Sequence, residues 1–437
     1  MAGREPRPTN PLLRRGSLAT DLQFLRMSLS SQEVIIYFNG TFMERLNGAH
    51  ARMDSFLRFL LRHFERVIVY SFRNHPTCPW TDELAQRFAV EYPRAQLVLE
   101  ERTPKLVAMT RLKNTLAMFL PSFGRQIIRL SLPGAAPAYA SLMKEHPAAT
   151  LIINYVDGLT QLNGVPNRRF VVETHDIKFI NYRFQAHKSA TDIRTISKFR
   201  SEIALLSTAQ AVIAISPTES HFFGMLVDGA KVLYIPKFNQ EARVEELETE
   251  DAEDFLYDLV FVGSDNILNI DGLIGFLQEH GTWLKRYRVA VCGKVCQQPD
   301  VIQVASRYPN VSLLGFVDDI DQIYRRSRAA VSPVVGTGLK IKIVDALAKG
   351  KPVFASQSSL AGLPPGYEGC VFPIQRQAVT RILDHEENRR AAVRESRTYF
   401  ASFGERGDHE ELLRLLRGSN NPPRSRPRRR PRELVGS

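Results

Sequence analysis

Cysteine is scarce in this chain, with four residues in 437. They are Cys78, Cys292, Cys296 and Cys370, and only Cys292 and Cys296 are neighbours in sequence. No histidine or second cysteine pair flanks that pair at metal-ligand spacing, which argues against a zinc site and a disulfide scaffold. Buried thiols in a reducing compartment are the expectation. No apolar run reaches the roughly 18 residues that a spanning helix needs. The first residues, Met-Ala-Gly-Arg-Glu-Pro-Arg-Pro, lack the apolar core of a secretion signal. The expected location is therefore the cytoplasm, with peripheral contact at the inner face of the membrane left open. No internal repeat is visible, and no G-x-G-x-x-G marks a dinucleotide site.

Acidic charge is thin at both ends. Residues 1–31 hold five arginines against Glu5 and Asp21, and residues 417–437 hold seven against Glu433. These two segments carry 9 of the +12 net charge, so the middle of the chain is close to neutral. The basic balance belongs to the ends and not to the fold. The segment 417–437 has no apolar periodicity, cannot offset its ordering entropy and is expected to be disordered, as is 1–31. Attraction to an anionic membrane surface is one use for such a tail; a solubilising terminus is the plain alternative. No aromatic residues interleave with the arginines for base stacking, so no nucleic-acid partner is expected.

What is present is an alternation of short apolar runs with helical patterns. Runs at 34–38, 67–70, 97–99, 151–155, 170–172, 211–215 and 232–235 read as strands. Residues 51–64 place Met53, Phe56, Leu57, Leu60, Leu61 and Phe64 at helical spacing. An acidic, weakly apolar run at 241–258 reads as a linker. Alternation restarts at 259–262, 289–292, 311–314 and 329–332. Continuous apolar strands between helices imply parallel sheets covered on both faces. The expected class is α/β, with two Rossmann-like doubly wound domains facing a cleft, at 32–240 and 259–380. Residues 381–416 are expected to be helices packing back on the first domain. Residues 105–129 interleave cations with apolar residues and read as a core-packed helix with a wet face; the alternative is a membrane-facing patch.

The most informative stretch is 336–356. Gly336 and Gly338 form a turn followed by Lys340 and Lys342, a short amphipathic helix carrying Asp345, a stop at Gly350 and Pro352, and a strand. Free N–H groups at a helix start beside two cations suit a diphosphate. A carboxylate one turn further in suits ribose hydroxyls. Glycine before and after a helix is also ordinary punctuation in any α/β protein, and surface lysines are usually just solvated.

Further residues carry a resemblance. Phe261-Val-Gly-Ser264 with Asn269-Ile-Asp271 comes first, then Gly315-Phe-Val-Asp-Asp319 with Tyr324 and Pro333. Gly338-Leu-Lys340, Lys342, Asp345-Ala-Leu347, Gly350, Pro352-Val353 and Gly362-Leu363 follow in order. In this respect the chain resembles the retaining glycosyltransferases of family 4, also called group 1, which have the GT-B fold. The resemblance covers about residues 259–365. Glu173-Thr-His-Asp176 and the run 211–219 look similar too, and Gly48-Ala49 does so loosely. Members often carry two glutamates spaced by seven residues across the turn and helix. Here Thr337 stands in the first place and Asp345 in the second, as in a glycine-and-lysine branch.

The resemblance implies an enzyme, a hexosyl- or related transferase. It would take a sugar from a nucleotide-diphosphate-sugar donor to a glycan or lipid-linked acceptor, in polysaccharide or glycoconjugate synthesis. His175, Asp176 and Lys340 would be catalytic. Gly48, Ala49, Ser264, Lys294, Val317, Gly338, Lys340, Lys342 and Asp345 would hold the donor. Asn47 is a candidate cap for the helix behind Gly48. The pair Asp319 and Asp321 has D-x-D spacing but precedes a helix, so capping is the better reading. No metal or other cofactor is expected. The alternatives are an inactive GT-B module that binds a glycan or partner, and a nucleotide-sugar epimerase of similar fold.

Overall fold

The computed structural model describes residues 33–45, 48–238, 255–403 and 406–418. The expected disordered segments at 1–31 and beyond 418, Asn47, and most of the expected linker lie outside the described residues. The first domain is built on seven parallel strands: β1 Glu33–Tyr37, β2 Arg66–Phe72, β3 Ala95–Glu100, β4 Thr150–Asn154, β5 Phe170–Glu173, β6 Ala211–Ala214 and β7 Lys231–Tyr234. Their order is β3-β2-β1-β4-β5-β6-β7. The second domain has six: β8 Tyr257–Val262, β9 Val289–Cys292, β10 Val311–Gly315, β11 Ser327–Ser332, β12 Val353–Ala355 and β13 Val371–Pro373. Their order is β10-β9-β8-β11-β12-β13, also all parallel.

Strand β1 shows why the apolar runs become buried strands. Successive side chains point to opposite faces, so both faces need apolar cover. Ile35 and Tyr37 enter the core on one side of the sheet, and Val34 and Ile36 enter the core on the other. All four are 0% exposed. Each such side chain contributes about 1.5–3 kcal/mol by leaving water.

Three boundaries differ from the sequence expectation. Strand β8 begins at Tyr257, inside the expected linker, because Tyr257 N and Asp258 N donate to Arg326 O and Arg288 O. Of the C-terminal helices, Glu386–Ser402 packs on Ile341–Ala348 and Arg376–Leu383 of the second domain. His409–Arg417 returns to the first domain, where Leu412, Leu413 and Leu416 join its core, while the 386–402 helix meets that domain where Lys237 lies 3.9 Å over the Phe400 ring. The difference lies in the apolar faces: Tyr399, Phe400 and Phe403 match a groove beside the second sheet. The stretch 105–129 is not one helix. It is the helix Pro104–Phe119, a tight turn over 121–123 and the helix Gly124–Arg129. Its inner face includes Lys113, fully buried, with Nζ donating to Leu162 O at 2.8 Å. Its outer face leaves Leu112, Phe119, Leu120 and Phe123 exposed. Among the described residues no helix is long and apolar enough to cross a membrane.

Candidate functional site

Strand order locates the site. In each sheet one strand has neighbours that continue the chain to opposite sides, so the following loops diverge and leave a crevice at the carboxyl ends. In the second sheet that point lies between β8 and β11. The loops leaving these strands hold Ser264 and the Gly336–Lys342 turn. In the first sheet it lies between β1 and β4, whose loops lead to Gly48 and to Tyr155. Close approach of the second sheet's strand ends demands glycine: Gly293 has φ +100°, and a Cβ there would sit 2.2 Å from Gly263 O.

The Gly336–Lys342 turn is irregular because both glycines are left-handed, at φ +113° and +85°. Gly338 also presses on the first domain, where a Cβ would meet His175 O at 2.7 Å. The helix Ile341–Ala348 then starts with Lys340 as its N-cap, without a side-chain cap or an acidic residue in its first turn. Its first N–H groups thus remain available to a ligand. Lys340 Nζ donates to Thr337 O at 2.6 Å, and Lys342 Nζ to Asn269 Oδ1 at 2.5 Å. Asn269 Nδ2 in turn donates to Ser264 Oγ at 3.0 Å. Lys342 also lies 4.6 Å above the Phe261 ring. Neither lysine has a carboxylate partner at ion-pair distance among the described residues. Burial pushes Lys340 down to about 8, against the pull of Glu219 and Asp176. Burial pushes Lys342 down to about 7, and repulsion from Lys340 adds to it.

The first domain supplies the opposing wall. Gly48 opens the helix Gly48–His63, and a Cβ on it would lie 2.6 Å from Ile341 Cγ1. Ala49 beside it is half-buried. His175 follows β5, its ring stacked on Tyr155 at 4.2 Å. Its Nε2 lies 2.5 Å from Asn154 Oδ1. Asn154 Nδ2 donates to Glu173 Oε2 at 2.8 Å, and Glu173 Oε1 accepts from Arg52 Nε at 2.7 Å. Asn154 therefore accepts through Oδ1, so the network assigns the histidine proton to Nε2 and leaves Nδ1 as the lone-pair nitrogen. Burial, reinforced by Arg52, holds this imidazole well below its usual pKa, in the neutral form. Asp176 is raised by burial, against its hydrogen bond with Asn181 and the charge of Lys340.

Thr337 ties the domains together. Its hydroxyl accepts from Ile177 N at 3.0 Å, and its own N–H donates to Asn181 Oδ1 at 3.1 Å. Asp345 keeps an exposed edge. Desolvation by the surrounding protein pushes its carboxyl up to about 6, against the pull of Lys237 from the first domain and Lys349. Lys294 follows β9 in a short turn and is exposed. Val317 follows β10 and is half-buried on the second core. The structure thus brings Gly48, His175, Asp176, Gly338 and Lys340 into one crevice and links Ser264 to Lys342, while Lys294 stands on an exposed turn. Asp319 caps its helix, accepting from Gln322 N at 3.0 Å, and Asp321 pairs with Lys349 at 2.8 Å. Among the described residues no three His, Cys, Asp or Glu side chains gather as metal ligands.

Comparison with known proteins bears on this geometry. Residues 257–385 match the family described as "Glycosyl transferases group 1". Sucrose-phosphate synthase from Thermosynechococcus elongatus superposes with a TM-score of 0.58 at 16% identity, covering 88% of this chain and 97% of that one. WaaG, a glycosyltransferase involved in lipopolysaccharide biosynthesis, gives 0.52 at 14% identity, covering 89% and 100%. The chain has the GT-B fold. A third GT-B structure, described as trehalose-6-phosphate from E. coli bound with UDP-2-fluoro glucose, gives 0.53 at 10% identity, covering 89% and 99%. No curated protein matches the chain. The matched domain and the GT-B fold together support a transferase enzyme.

Several residues of this GT-B crevice escaped the sequence reading. Glu219 is fully buried, with Oε2 accepting from Ile215 N at 3.1 Å and Oε1 buried without a partner beside Gly338. Burial pushes it up to about 7. In sequence it stood only at the end of the 211–219 run that resembles the family, with no role assigned to it. Arg52, Asn154, Lys237 and Asn181 carried no signal, since each acquires its role from a partner far along the chain.

Proposed function

We propose that this protein transfers a sugar from a nucleotide-diphosphate-sugar donor to a hydroxyl of a glycan or lipid-linked acceptor, with retention. The carrying observation is the pair Lys340 and Lys342, two desolvated cations without carboxylate partners at a helix start in the second domain's crevice. A diphosphate placed there neutralises both and accepts from the open N–H groups of the 341–348 helix. As the bond to the sugar breaks, charge grows on the departing phosphate, and fixed cations stabilise that state. Gly48 and Ala49 approach from the opposite domain. Asp345 would accept from the ribose hydroxyls, and Ser264 and Val317 would flank the donor. Lys294 would meet the donor from its turn beside Gly263, where Val295 N donates to Gly263 O at 3.3 Å.

His175 would accept a hydrogen bond from a sugar hydroxyl through Nδ1, and Asp176 would meet the same sugar. Catalysis of this kind rests on positioning and charge, not on a covalent side-chain nucleophile. Retention is supported by the family likeness of residues 257–385, not by any residue of the crevice. The ligand named for the E. coli structure makes UDP sugars the first donors to try. The role named for WaaG supports glycoconjugate synthesis as the setting. The exposed Leu112, Phe119, Leu120 and Phe123 near Arg111 and Arg125 support peripheral contact with an anionic membrane.

The test is a thermal-shift screen of nucleoside diphosphates and nucleotide sugars against intact protein and a Lys340→Ala, Lys342→Ala double variant. Stabilisation of the intact protein, lost in the variant, is expected. If no nucleotide stabilises the intact protein, the donor site is not there. Slow release of diphosphate from the bound donor, abolished by His175→Ala, separates an active transferase from a module that only binds.

A further inference from the structure

A second cationic site lies in the first domain, away from the lysine turn. A cavity of about 390 Å³ beside the carboxyl ends of β2 and β3 is lined by Asn74, Arg102, Thr110, Arg111 and Asn114, with Pro76 and Val107. One wall is a single face of the 104–119 helix, since positions 107, 110, 111 and 114 follow the i, i+3, i+4, i+7 spacing. The floor is a bracket between two loops: Arg102 N donates to Asn74 Oδ1 at 2.8 Å, and Asn74 Nδ2 donates to Arg102 O at 3.3 Å.

No carboxylate lines this cavity. Arg73, next in the chain to Asn74, is paired with Asp82 at 2.7 Å. Arg102 and Arg111 have no ion pair among the described residues, and Arg102 Nε is buried without any hydrogen-bond partner. A buried donor left empty is costly, and a guanidinium fork fits the oxygens of a phosphate. Local composition points the same way, because the chain between Glu101 and Glu145 has seven cationic side chains and no acidic one. Strand β3 is four places from β5, which leads to His175. At about 4.8 Å per strand the cavity lies roughly 20 Å along the edge from that histidine.

We propose that this cavity is a subsite for a phosphate ester on an extended acceptor, held by Arg102 and Arg111 while a distant hydroxyl reaches the donor. The proposal rests on the transferase reading above. The ester could belong to a soluble phosphorylated glycan or to a lipid headgroup, since Leu112 and Phe119 stand exposed on the same helix.

The experiment compares the full chain with an Arg102→Gln, Arg111→Gln double variant, with UDP in excess to occupy the donor site. Inorganic phosphate binding is followed by 31P line width. Vesicle binding is followed by sedimentation with equal parts phosphatidylglycerol and phosphatidylcholine, against phosphatidylcholine alone. Calorimetric affinity for UDP serves as the control. The expected result is at least a tenfold loss of phosphate affinity with UDP affinity unchanged. A parallel loss on the anionic vesicles assigns the ester to a lipid; unchanged vesicle binding assigns it to a soluble acceptor. Equal phosphate binding by both proteins, or loss on vesicles alone, overturns the proposal. Asn114→Asp, which puts a carboxylate into the cavity, must give the same phosphate loss and covers the case of a misfolded double variant. UDP failing to bind the intact chain would sink the donor site, while the phosphate measurement would still decide the cavity.

Discussion

The carboxyl edges of the two sheets face one crevice but handle charge in opposite ways. On the first, Arg52, Glu173, Asn154 and His175 form a closed chain in which each buried polar group meets the next. On the second, Lys340 and Lys342 are desolvated, and their hydrogen bonds go to a carbonyl and an amide oxygen instead of a carboxylate. The chain around His175 is satisfied without a ligand and holds a neutral imidazole in one tautomer. The second stores uncompensated positive charge that an anion would relieve. Where the two walls meet around His175 and the lysine turn, one is satisfied and the other is not, and that difference orients the donor, because at this point only the lysine turn offers unpaired cations to a diphosphate.

The largest effect should come from breaking the satisfied edge. Arg52→Met leaves Glu173 buried without its cation, and unfolding by urea should show a loss of about 3–5 kcal/mol. A loss below about 1 kcal/mol would mean that the pair is not needed to hold this edge together. On the unsatisfied edge, removing Lys342 or Lys340 should weaken UDP binding about 10- to 100-fold, in line with about 1.5–3 kcal/mol for a charged hydrogen bond. Folding stability should hold or rise, since a buried cation is removed; a large fall in melting temperature would contradict the contrast.

Gly338→Ala tests the contact between the edges. The left-handed backbone costs about 1–2 kcal/mol for a side chain, and the Cβ meets His175 O. Stability should fall by at least that much, and UDP affinity with it. Titration offers a smaller but directional effect. Lys340 and Lys342 have folded pKa values near 8 and 7, below their unfolded value. The unfolded chain therefore binds more protons above pH 7, and their contribution to stability rises from pH 7 toward 10.5. Ligand affinity runs the other way. UDP should bind best below about pH 7 and progressively less through pH 8 and above, and Lys340→Arg should flatten that slope. The smallest change is expected for Lys294→Ala, within about threefold in UDP affinity, because an exposed charge is screened by water and salt. An effect as large as that of Lys340 would extend the unsatisfied edge to β9.

Much of the fold was legible because parallel strands buried on both faces need unbroken apolar runs. The runs around Val34, Val67, Leu151, Ala211, Leu259 and Val289 each became a strand of one of the two sheets. The glycine–lysine turn was legible too, since Gly336 and Gly338 declare a left-handed backbone and Lys340 follows at a helix start. The 386–402 helix was misplaced because amphipathic periodicity says that a helix has an apolar face but not which surface receives it. Tyr399, Phe400 and Phe403 could have matched either core.

By itself, then, the sequence determined the doubly wound class and the two-domain division, and it marked the one short segment on which the diphosphate proposal rests. These follow from local period, turn chemistry and the residues of one short segment. Only the tertiary structure decided that Thr337 bonds Ile177 and Asn181, that Glu219 comes to rest beside Gly338, and that Asn154 sets the proton on His175. Each of these joins residues from different strand ends, and a strand end finds its neighbours only when the sheet order brings them into the same crevice.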